Sequence, residues 1–419
     1  MTGEENEAVT EKPDWTGSRL RVEIGPVAHG GHCVARHEGR VVFVRHALPG
    51  EEVVVEVTED PGGGFCRADA VEVLSAAEGR VEPPCPLAEM SRGLDRCGGC
   101  DWQHATGEVQ RELKSAVVTE QLQRLAGLDW PVQVRELPGG LLRWRTRARL
   151  VADRSGRAGF RAHRSHRVIP IDDCPITAEG ALDDVTSRRW RPAAEIGVAA
   201  DSAGEVHVTA TDRKPRRRGG TPTARQVSGS GVAREVVAER SFDVAAQGFW
   251  QVHAAAPETF SDVVARLASV PEGGVAWDLY GGVGLFAAPL AEQAGTDGHV
   301  LLVESSRSAV ADAQENLAEF AQVACLAGKV ERMLTDDTLS DPDVVVLDPP
   351  RKGAGREVVE AIAARRPSRI VHVACDPAAL GRDIGLYADN GYRMTALEAY
   401  DAFPMTHHVE TIALLEPDA

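Results

Sequence analysis

The chain has 419 residues, of which 43% are apolar and 26% are charged. This length and composition predict a soluble globular protein with two to four domains. No run of about 18 consecutive apolar residues occurs, which excludes a membrane-spanning helix. The acidic, polar residues 1–13 contain no apolar signal core, so we expect a disordered tail and a cytoplasmic location.

The formal net charge is −17, but charge is distributed unevenly along the chain. Between Arg143 and Arg240 there are 20 lysine and arginine residues against 12 aspartate and glutamate residues. An acidic protein with one basic segment of this kind can still bind a polyanion locally. The run of residues 213–218 within this segment is strongly basic, and we predict a loop there without assigning it a role.

Short segments rich in β-branched residues follow the tail, at residues 21–24, 40–44 and 51–57. Such segments are typical of strands, and glycine- and proline-containing turns separate them. The pattern predicts a small β-barrel over residues 14–75.

Four of the eight cysteines are candidates for one metal site. Cys97-Gly-Gly-Cys100 is a chelating pair, and Cys85 and Cys174 could complete a set of four. A large chain without an export signal is expected to keep its thiols reduced. Four thiolates can hold zinc or a cubane iron–sulfur cluster, and their spacing does not choose between the two.

An amphipathic helix is predicted over residues 103–125, ending before Gly127. Farther along, arginine occupies every second position of residues 142–150. A strand would place all four arginine side chains on one face, which is either simply solvated or binds phosphates. We predict RNA binding by this face, which consists of Arg143, Arg145, Arg147 and Arg149.

From about residue 241 onward, apolar strand-like runs alternate with helical patterns. This alternation predicts an open, mainly parallel sheet with helices on both faces. The predicted strands cover residues 275–279, 299–303, 343–347 and 369–374. Ligands of such sheets bind outside the carboxyl ends of the strands, so the residues that follow these strands are candidate site residues.

The first predicted strand runs into Asp278-Leu-Tyr-Gly-Gly-Val-Gly284, and the second ends at Glu304. A glycine-rich turn followed by a carboxylate that can accept hydrogen bonds from a ribose fits a dinucleotide or S-adenosylmethionine. The third ends in Asp348-Pro-Pro-Arg-Lys-Gly353. This resembles the Asp/Asn-Pro-Pro-aromatic motif of amino-methylating enzymes, but Arg351 replaces the aromatic residue and disfavours an exocyclic amine as substrate.

The fourth predicted strand ends at Cys375, which is well placed to act as a nucleophile. The alternative is a buried, inert thiol, the commoner role of a free cysteine. Glu410 opens a further apolar strand over residues 411–415 and could reach the same crevice. Burial there would raise the pKa of Glu410 and suit it to proton transfer.

Five motifs, in this order, resemble those of the RNA uracil-C5 methyltransferases, which form 5-methyluridine. They are Phe249-Trp-Gln-Val-His253, Asp278-Leu-Tyr-Gly-Gly-Val-Gly284, Asp348-Pro-Pro-Arg-Lys-Gly353, Val373-Ala-Cys-Asp-Pro377 and Asp401-Ala-Phe-Pro-Met-Thr-His-His-Val-Glu410. Residues 28–51 resemble the TRAM domain, a small RNA-binding barrel. The four cysteines of the candidate metal site resemble the family's iron–sulfur ligands.

The resemblance implies an α/β fold with a Rossmann-like methyltransferase domain over residues 241–419. A TRAM-like barrel of the OB type and a central α+β RNA-binding domain over residues 76–240 would precede it. It also implies a 4Fe–4S cluster, with zinc as the alternative, held by Cys85, Cys97, Cys100 and Cys174. The implied contacts of S-adenosylmethionine are Gln251, Tyr280, Glu304 and Asp348, with Cys375 as nucleophile and Glu410 as base.

The barrel and the cluster ligands favour ribosomal RNA, specifically 23S, as the partner. We also expect a monomer that does not bind membranes. Alternatives are a tRNA uracil-C5 methyltransferase, a cytosine-C5 methyltransferase and a non-catalytic RNA-binding or assembly factor. A nicotinamide-dependent oxidoreductase is a more distant alternative, because the glycine-rich turn lacks a full G-x-G-x-x-G pattern. Cytosine enzymes carry a second cysteine in a Pro-Cys motif where this chain has Asp348-Pro-Pro.

The chain departs from the family's usual residues at several positions near the expected site. Gly281 stands in place of the usual Cys, and His253 in place of the usual Asn. Ala374 and Asp376 flank the cysteine where Ser and Asn are common. The expected nucleophile and both key carboxylates are intact, so we expect an active enzyme.

Overall fold

The computed structural model describes residues 14–212 and 224–418. The tail predicted over residues 1–13 and the basic loop predicted over residues 213–218 lie outside the described residues. Within the described ranges, no helix is both long enough and apolar enough to cross a membrane.

The first described region is a six-stranded sheet that curls into a small barrel, as the sequence predicts. Its strands are β1 (Arg19–Glu23), β2 (Val27–Ala28), β3 (His32–His37), β4 (Arg40–Arg45), β5 (Glu52–Glu59) and β6 (Phe65–Ser75), in the order β1-β5-β6-β4-β3-β2. Alternate residues of β5 are buried, because successive side chains of a strand point to opposite faces. The Gly25 N–H donates to the Val34 carbonyl at 2.8 Å, which brings the end of β1 toward β3.

A loop with two short 3₁₀ helices, Pro86–Ala88 and Met90–Asp95, carries three of the candidate metal-binding cysteines. Helix α1 (Gly107–Ala126) follows and ends at Gly127, whose φ of 68° is left-handed. The helix begins four residues later than predicted, because the Thr106 hydroxyl accepts a hydrogen bond from the Val109 N–H and caps it. Strand β7 (Val134–Glu136) comes next.

The central sheet is antiparallel, with the order β10-β9-β8-β11-β12-β13. Its elements are β8 (Arg147–Ala152), β9 (Ala158–Arg161), β10 (Val168–Pro170), α2 (Asp183–Thr186), β11 (Glu195–Ala200), β12 (Val206–Thr211) and β13 (Arg225–Ser228). A two-stranded hairpin, β14 (Val232–Val237) and β15 (Arg240–Ala245), leads out of it.

The last domain is a doubly wound α/β sheet, which confirms the predicted fold class. Its elements are α3 (Ala256–Ala268), β16 (Val275–Leu279), α4 (Ala287–Ala294), β17 (His299–Glu304), α5 (Arg307–Asn316), β18 (Val323–Ala327), α6 (Val330–Met333), β19 (Val344–Leu347), α7 (Arg356–Ala364), β20 (Arg369–Ala374), α8 (Pro377–Asp389), β21 (Tyr392–Asp401) and β22 (Glu410–Pro417). The sheet order is β18-β17-β16-β19-β20-β22-β21-β7. The first five strands of this order are parallel, and β22 is antiparallel to both of its neighbours.

Two elements of the segment predicted as a central domain, residues 76–240, pack against the last domain. Strand β7 pairs with β21 at the edge of the last sheet, through Val134 and Ala399. Helix α1 packs on α8 so closely that a Cβ on Gly381 would lie 2.9 Å from the Gln121 carbonyl oxygen. The hydrophobic pattern of a segment indicates whether it forms a helix or a strand, but not which elements it packs against. The sequence therefore contains no sign that α1 and β7 join the last domain.

A buried ion pair fixes α1 to the last domain. The Lys114 ammonium donates to the Asp401 carboxylate at 2.5 Å and to the Phe403 carbonyl at 3.1 Å. Neither charged side chain is more than 1% exposed. Burial lowers the pKa of Lys114, while Asp401 acts in the opposite direction.

Replacing Lys114 with methionine should lower the free energy of unfolding by about 3–5 kcal/mol, because it leaves a buried carboxylate unpaired. The double variant Lys114→Met/Asp401→Leu should recover most of this loss, since it removes both charges. Urea unfolding followed by far-UV circular dichroism measures both effects. A single variant that loses less than about 1 kcal/mol would contradict this assignment.

Candidate active site

The carboxyl ends of β16, β17, β19 and β20 meet the beginning of the antiparallel strand β22 at one edge of the sheet. A cleft of about 1290 Å³ opens there and continues toward the cysteine loop. The structure brings all six predicted cofactor and catalytic residues to its wall, namely Gln251, Tyr280, Glu304, Asp348, Cys375 and Glu410. Chain topology accounts for this convergence. All of these residues except Gln251 lie at one end of a strand or directly after a strand.

The glycine-rich turn after β16 brings the first two strands of the site close together. The Gly281 N–H donates to the Val303 carbonyl at 3.2 Å. A Cβ on Gly281 would lie 2.6 Å from Leu302 and 2.9 Å from an Asp278 carboxyl oxygen, so a larger residue requires a shift of the backbone or its neighbours. Tyr280 adopts a left-handed φ of 62°, an uncommon conformation for an aromatic residue, and lines the cleft.

Two carboxyl groups of the cleft wall, those of Glu304 and Asp348, and the fully buried Asp278 of β16 make this part of the cleft suitable for a cation. Glu304 accepts a hydrogen bond from the Ser306 N–H at 2.7 Å, which orients its carboxylate. Burial raises the pKa of Asp348 to about 7. Burial, followed by the charge of Asp348, raises the pKa of Asp278 to about 8. A ligand with a positive charge favours ionised carboxyls here, and the sulfonium and ammonium groups of S-adenosylmethionine fit that donor set.

Strand pairing places the predicted nucleophile opposite the predicted base. Ala374 of β20 pairs with Thr411 of β22 in antiparallel register, so the next residues, Cys375 and Glu410, face each other across the strand ends. The Thr411 hydroxyl also donates to the Ala374 carbonyl at 2.7 Å and fixes this register.

Burial favours the neutral form of both reactive groups. Burial raises the pKa of the Cys375 thiol to about 12, with the carboxyl of Glu410 as the next cause. Burial also raises the pKa of Glu410 well above its usual range, and the charge of Asp348 adds to the effect. The positive charge of Arg351 acts in the opposite direction on both residues. Arg351 therefore favours the thiolate and the carboxylate, the forms that act as nucleophile and base.

Asp383 of α8 is a supporting residue that the sequence analysis missed. Its carboxylate accepts hydrogen bonds from the N–H groups of Ala354 (2.7 Å) and Gly355 (3.0 Å) and contacts His372 at 3.2 Å. It thus holds the loop that carries Arg351. The only sequence signal was an acidic residue on the apolar face of a helix, which by itself does not indicate a partner.

Phe249 is the second missed residue of the cleft. The sequence analysis quoted its motif but gave its side chain no role. Phe249 is 69% exposed, the largest exposure among the large hydrophobic side chains of the described residues, and it lines the cleft. An aromatic ring held open to solvent beside a cleft is suited to stacking on a planar ligand.

The thiols of the four predicted metal-binding cysteines are near enough to influence one another's ionisation, where the cysteine loop meets the central sheet. The Gly98 N–H donates to the Arg161 carbonyl at 3.0 Å, and the Cys85 N–H donates to the Gln103 side chain at 3.0 Å. Burial raises the pKa of the Cys85, Cys97 and Cys100 thiols, and Cys174 also contributes to the raised pKa of each. Four soft thiol donors from two chain segments suit zinc or an iron–sulfur cluster.

The cysteine loop also contacts the segment that leads to Glu410. The N–H groups of Asp101 and Trp102 donate to the Met405 carbonyl at 2.9 and 3.0 Å. An Asp101 carboxylate oxygen lies 2.6 Å from His407 Nδ1. The candidate metal site and the cleft therefore share a wall.

The sequence falls into a known family over most of its length. Residues 15–71 match the TRAM domain, and residues 237–418 match the tRNA (Uracil-5-)-methyltransferase family. An uncharacterised RNA methyltransferase of Streptomyces coelicolor is 46% identical, over 99% of this chain and 96% of that protein. An uncharacterised RNA methyltransferase of Corynebacterium glutamicum is 37% identical, over 95% and 97% of the two chains. The chain belongs to the RNA uracil-5-methyltransferase family.

A solved structure has a similar overall fold. The tRNA (uracil-54, C5)-methyltransferase of Pyrococcus abyssi, in complex with S-adenosyl-L-homocysteine, superposes with a TM-score of 0.70 at 21% identity. The similarity covers 94% of this chain and 100% of that one. Together with the family matches, the cleft identifies this methyltransferase as an S-adenosylmethionine-dependent enzyme that acts on RNA.

The four arginines of this methyltransferase do not share the single strand face that the sequence predicted. Strand β8 begins only at Arg147, so the alternation of a strand does not apply to the preceding residues. Trp144 stacks on His253 at 5.6 Å between ring centroids, and Arg143 adopts a left-handed φ of 57°. This packing takes the first half of the segment out of the strand.

The four arginines consequently have different environments. Arg143 forms an ion pair with Asp173, and Arg147 is buried beside Glu235. Arg145 lines the cleft, whereas Arg149 is exposed on β8. Of the four, Arg143 and Arg147 are the ones that form ion pairs within the described residues, and RNA binding by these arginines stays a prediction.

Proposed function

We propose that this enzyme methylates C5 of uracil in RNA through a covalent adduct between Cys375 and C6 of the base. The observation that carries the proposal is the β20–β22 register, which sets Cys375 opposite Glu410 at the cofactor edge of the sheet. Uracil C5 is a poor nucleophile, and the pair supplies the two groups that its methylation requires.

In the proposed reaction, the Cys375 thiolate adds to C6, and the electron pair of the C5–C6 double bond moves toward the C4 carbonyl. C5 of the resulting enolate takes the methyl group that S-adenosylmethionine supplies; the electron pair of the broken S–CH3 bond stays on sulfur, and S-adenosylhomocysteine is the leaving group. The Glu410 carboxylate then removes the proton from C5. The released electron pair re-forms the double bond and expels the thiolate of Cys375. A uracil in a helix must leave its stack to reach this cleft, and that favours loop or single-stranded targets.

We further propose that Gln251, Tyr280, Glu304 and Asp348 contact S-adenosylmethionine. All four line the cleft, and the carboxyl groups of Glu304 and Asp348 favour a cationic ligand. The carboxylate of Glu304, at the end of the second parallel strand of the site, is suited to bind ribose hydroxyls.

We propose ribosomal RNA, specifically 23S, as the substrate, on the basis of the barrel together with the four-cysteine set. Transfer RNA is the second candidate, because the Pyrococcus abyssi protein, named for tRNA, shares the fold over nearly the whole chain. The test is incubation of the purified enzyme with ribosomal and transfer RNA from cells that lack its gene, followed by nucleoside mass spectrometry. New 5-methyluridine in 23S RNA alone supports the proposal. New 5-methyluridine in tRNA alone overturns the choice of RNA, and 5-methylcytidine overturns the choice of base.

We propose that Cys85, Cys97, Cys100 and Cys174 hold a 4Fe–4S cluster, with zinc as the alternative. Protein purified without oxygen should contain about four iron atoms per chain and absorb broadly in the visible range. The variant Cys97→Ser should lose more than half of this iron. The variant Cys66→Ser, which changes a buried thiol of the barrel, is the matched control and should keep the iron. One zinc per chain without iron would establish the alternative.

We propose that Arg149 contacts an RNA phosphate. The variant Arg149→Ala should weaken RNA binding and reduce the slope of log K against log salt concentration by about 1. The matched variant Arg147→Ala leaves the buried Glu235 unpaired, so it should destabilise the fold by about 3–5 kcal/mol and leave the salt slope unchanged. Filter binding at several salt concentrations measures the slopes. An unchanged slope for Arg149→Ala identifies a merely solvated arginine.

A further inference from the structure

A histidine of the barrel contacts the residue that follows the candidate nucleophile. His29 lies in the turn between β2 and β3, and its Nε2 is 3.1 Å from Oδ2 of Asp376. Because a carboxylate only accepts hydrogen bonds, Nε2 carries the donated hydrogen. The other oxygen of Asp376 accepts from the Ala379 N–H at 2.8 Å and caps helix α8. Asp376 is therefore held by both domains at once.

The turn that carries His29 is itself fixed on two sides. The Gly31 carbonyl accepts a hydrogen bond from the Trp102 indole at 3.2 Å. A Cβ on Gly31 would lie 2.7 Å from the Cβ of His407, so the backbone of the turn rests directly on the segment that leads to Glu410. The contact with Asp376 thus belongs to a docked surface between the barrel, the cysteine loop and the last domain.

Only Cys375 and Asp376 connect the last residue of β20 to the first residue of α8. In so short a connection, a rotation of Asp376 moves the backbone of Cys375 and changes the direction of its thiol. A displacement of about 1 Å in a reacting group can slow a reaction about a hundredfold. The contact with His29 is partly solvated, with side chains 38% and 27% exposed, so its removal should cost the fold little.

We propose that His29 is a positioning residue that acts through Asp376 to aim the Cys375 thiol into the cleft. Docking of the barrel then becomes a condition for attack on the base, and the RNA-binding barrel and the nucleophile are linked by one hydrogen bond. This inference rests on the proposed function, because it assigns His29 to the adduct-forming step.

The test compares His29→Ala with wild type in the full-length enzyme. The rate of adduct formation is measured on RNA that carries 5-fluorouridine at the target position, because C5 then has no proton to lose and the adduct persists. The kcat of methylation is measured on ordinary RNA. We expect both to fall about tenfold to a hundredfold, with the Kd values for RNA and S-adenosylmethionine within about twofold of wild type.

Conservative and matched variants separate positioning from a general structural effect. His29→Gln keeps a donor near the position of Nε2 and should recover most of the rate. His299→Ala, at an exposed position where β17 begins on the opposite edge of the sheet, should behave as wild type. In a double-mutant cycle, His29→Ala should add little to the loss caused by Asp376→Ala, because the two residues act as one unit.

A change below about twofold in kcat, or a loss that resides in the Kd for RNA, overturns the role of His29. Independent losses from the two residues in the cycle overturn the linkage through Asp376. If wild type methylates uridine but forms no adduct with the fluorinated RNA, the covalent mechanism fails and the role of His29 fails with it, whereas a wild-type rate of adduct formation in His29→Ala overturns the role of His29 alone. If wild type methylates a different base, the kcat and Kd values of His29→Ala and wild type on that base test the role of His29.

Discussion

Replacing Cys375 with alanine is expected to abolish methyl transfer to RNA, with a loss on the order of 10⁴-fold or more in kcat. The thiol supplies the bond to C6 that makes C5 reactive, so without it the methyl group has no competent acceptor. Binding of S-adenosylmethionine should remain within about twofold of wild type, since the proposed cofactor contacts come from other strand ends. Single-turnover methylation and isothermal titration with the cofactor measure the two quantities.

Two variants control for the loss of a sulfur atom as such. Cys375→Ser keeps the size of the side chain but offers a much weaker nucleophile, and it should be as inactive as the alanine variant. Cys325→Ala changes a half-buried thiol of β18, in the same sheet but outside the cleft wall, and should keep wild-type turnover. Loss of cofactor binding in Cys375→Ala would identify a structural thiol, and a covalent adduct in that variant would place the nucleophile elsewhere.

The fold of the last domain could be predicted because its central strands are continuous apolar runs. Strands β16 and β20 have the predicted bounds, and both are buried along nearly their whole length. Strand β18 was missed although its five residues are all apolar, because so short a run does not distinguish a strand from part of a helix; it lies at the sheet edge, and none of its residues is fully buried. Strand β7 was missed because three residues far from the domain in sequence carry too little pattern.

The candidate site could be predicted as far as topology determines it. Residues that follow parallel strands must meet at one edge, which is why Glu304, Asp348 and Cys375 converge in the cleft. The pairing of Glu410 with Cys375 depends on the register of an antiparallel strand, which no local pattern specifies. Contacts such as Asp383 with its loop and His29 with Asp376 depend on which elements pack together, and the sequence indicates only the elements.

Replacing Glu410 with glutamine is expected to stop the reaction after methyl transfer. The amide has nearly the same shape but cannot accept the C5 proton, so elimination of Cys375 should slow by roughly 10²- to 10⁴-fold. The methylated RNA should accumulate as a covalent complex that survives denaturing electrophoresis, while the first methyl transfer stays near its wild-type rate. Glu416→Gln, which changes a more exposed carboxylate at the far end of β22, is the matched control and should turn over normally.

The pH dependence of product release provides a second measure of the same role. Burial raises the pKa of Glu410 well above its usual range, so the acid form predominates at low pH and the carboxylate fraction grows as pH rises. Because only the carboxylate can take the proton, decay of the wild-type adduct should accelerate with rising pH until Glu410 is ionised. Glu410→Gln should lose this dependence along with the rate. Full turnover by the glutamine variant, or decay with an unchanged pH profile, would show that the C5 proton leaves to another base, and the buried Asp348 carboxyl beside it would be the next residue to replace.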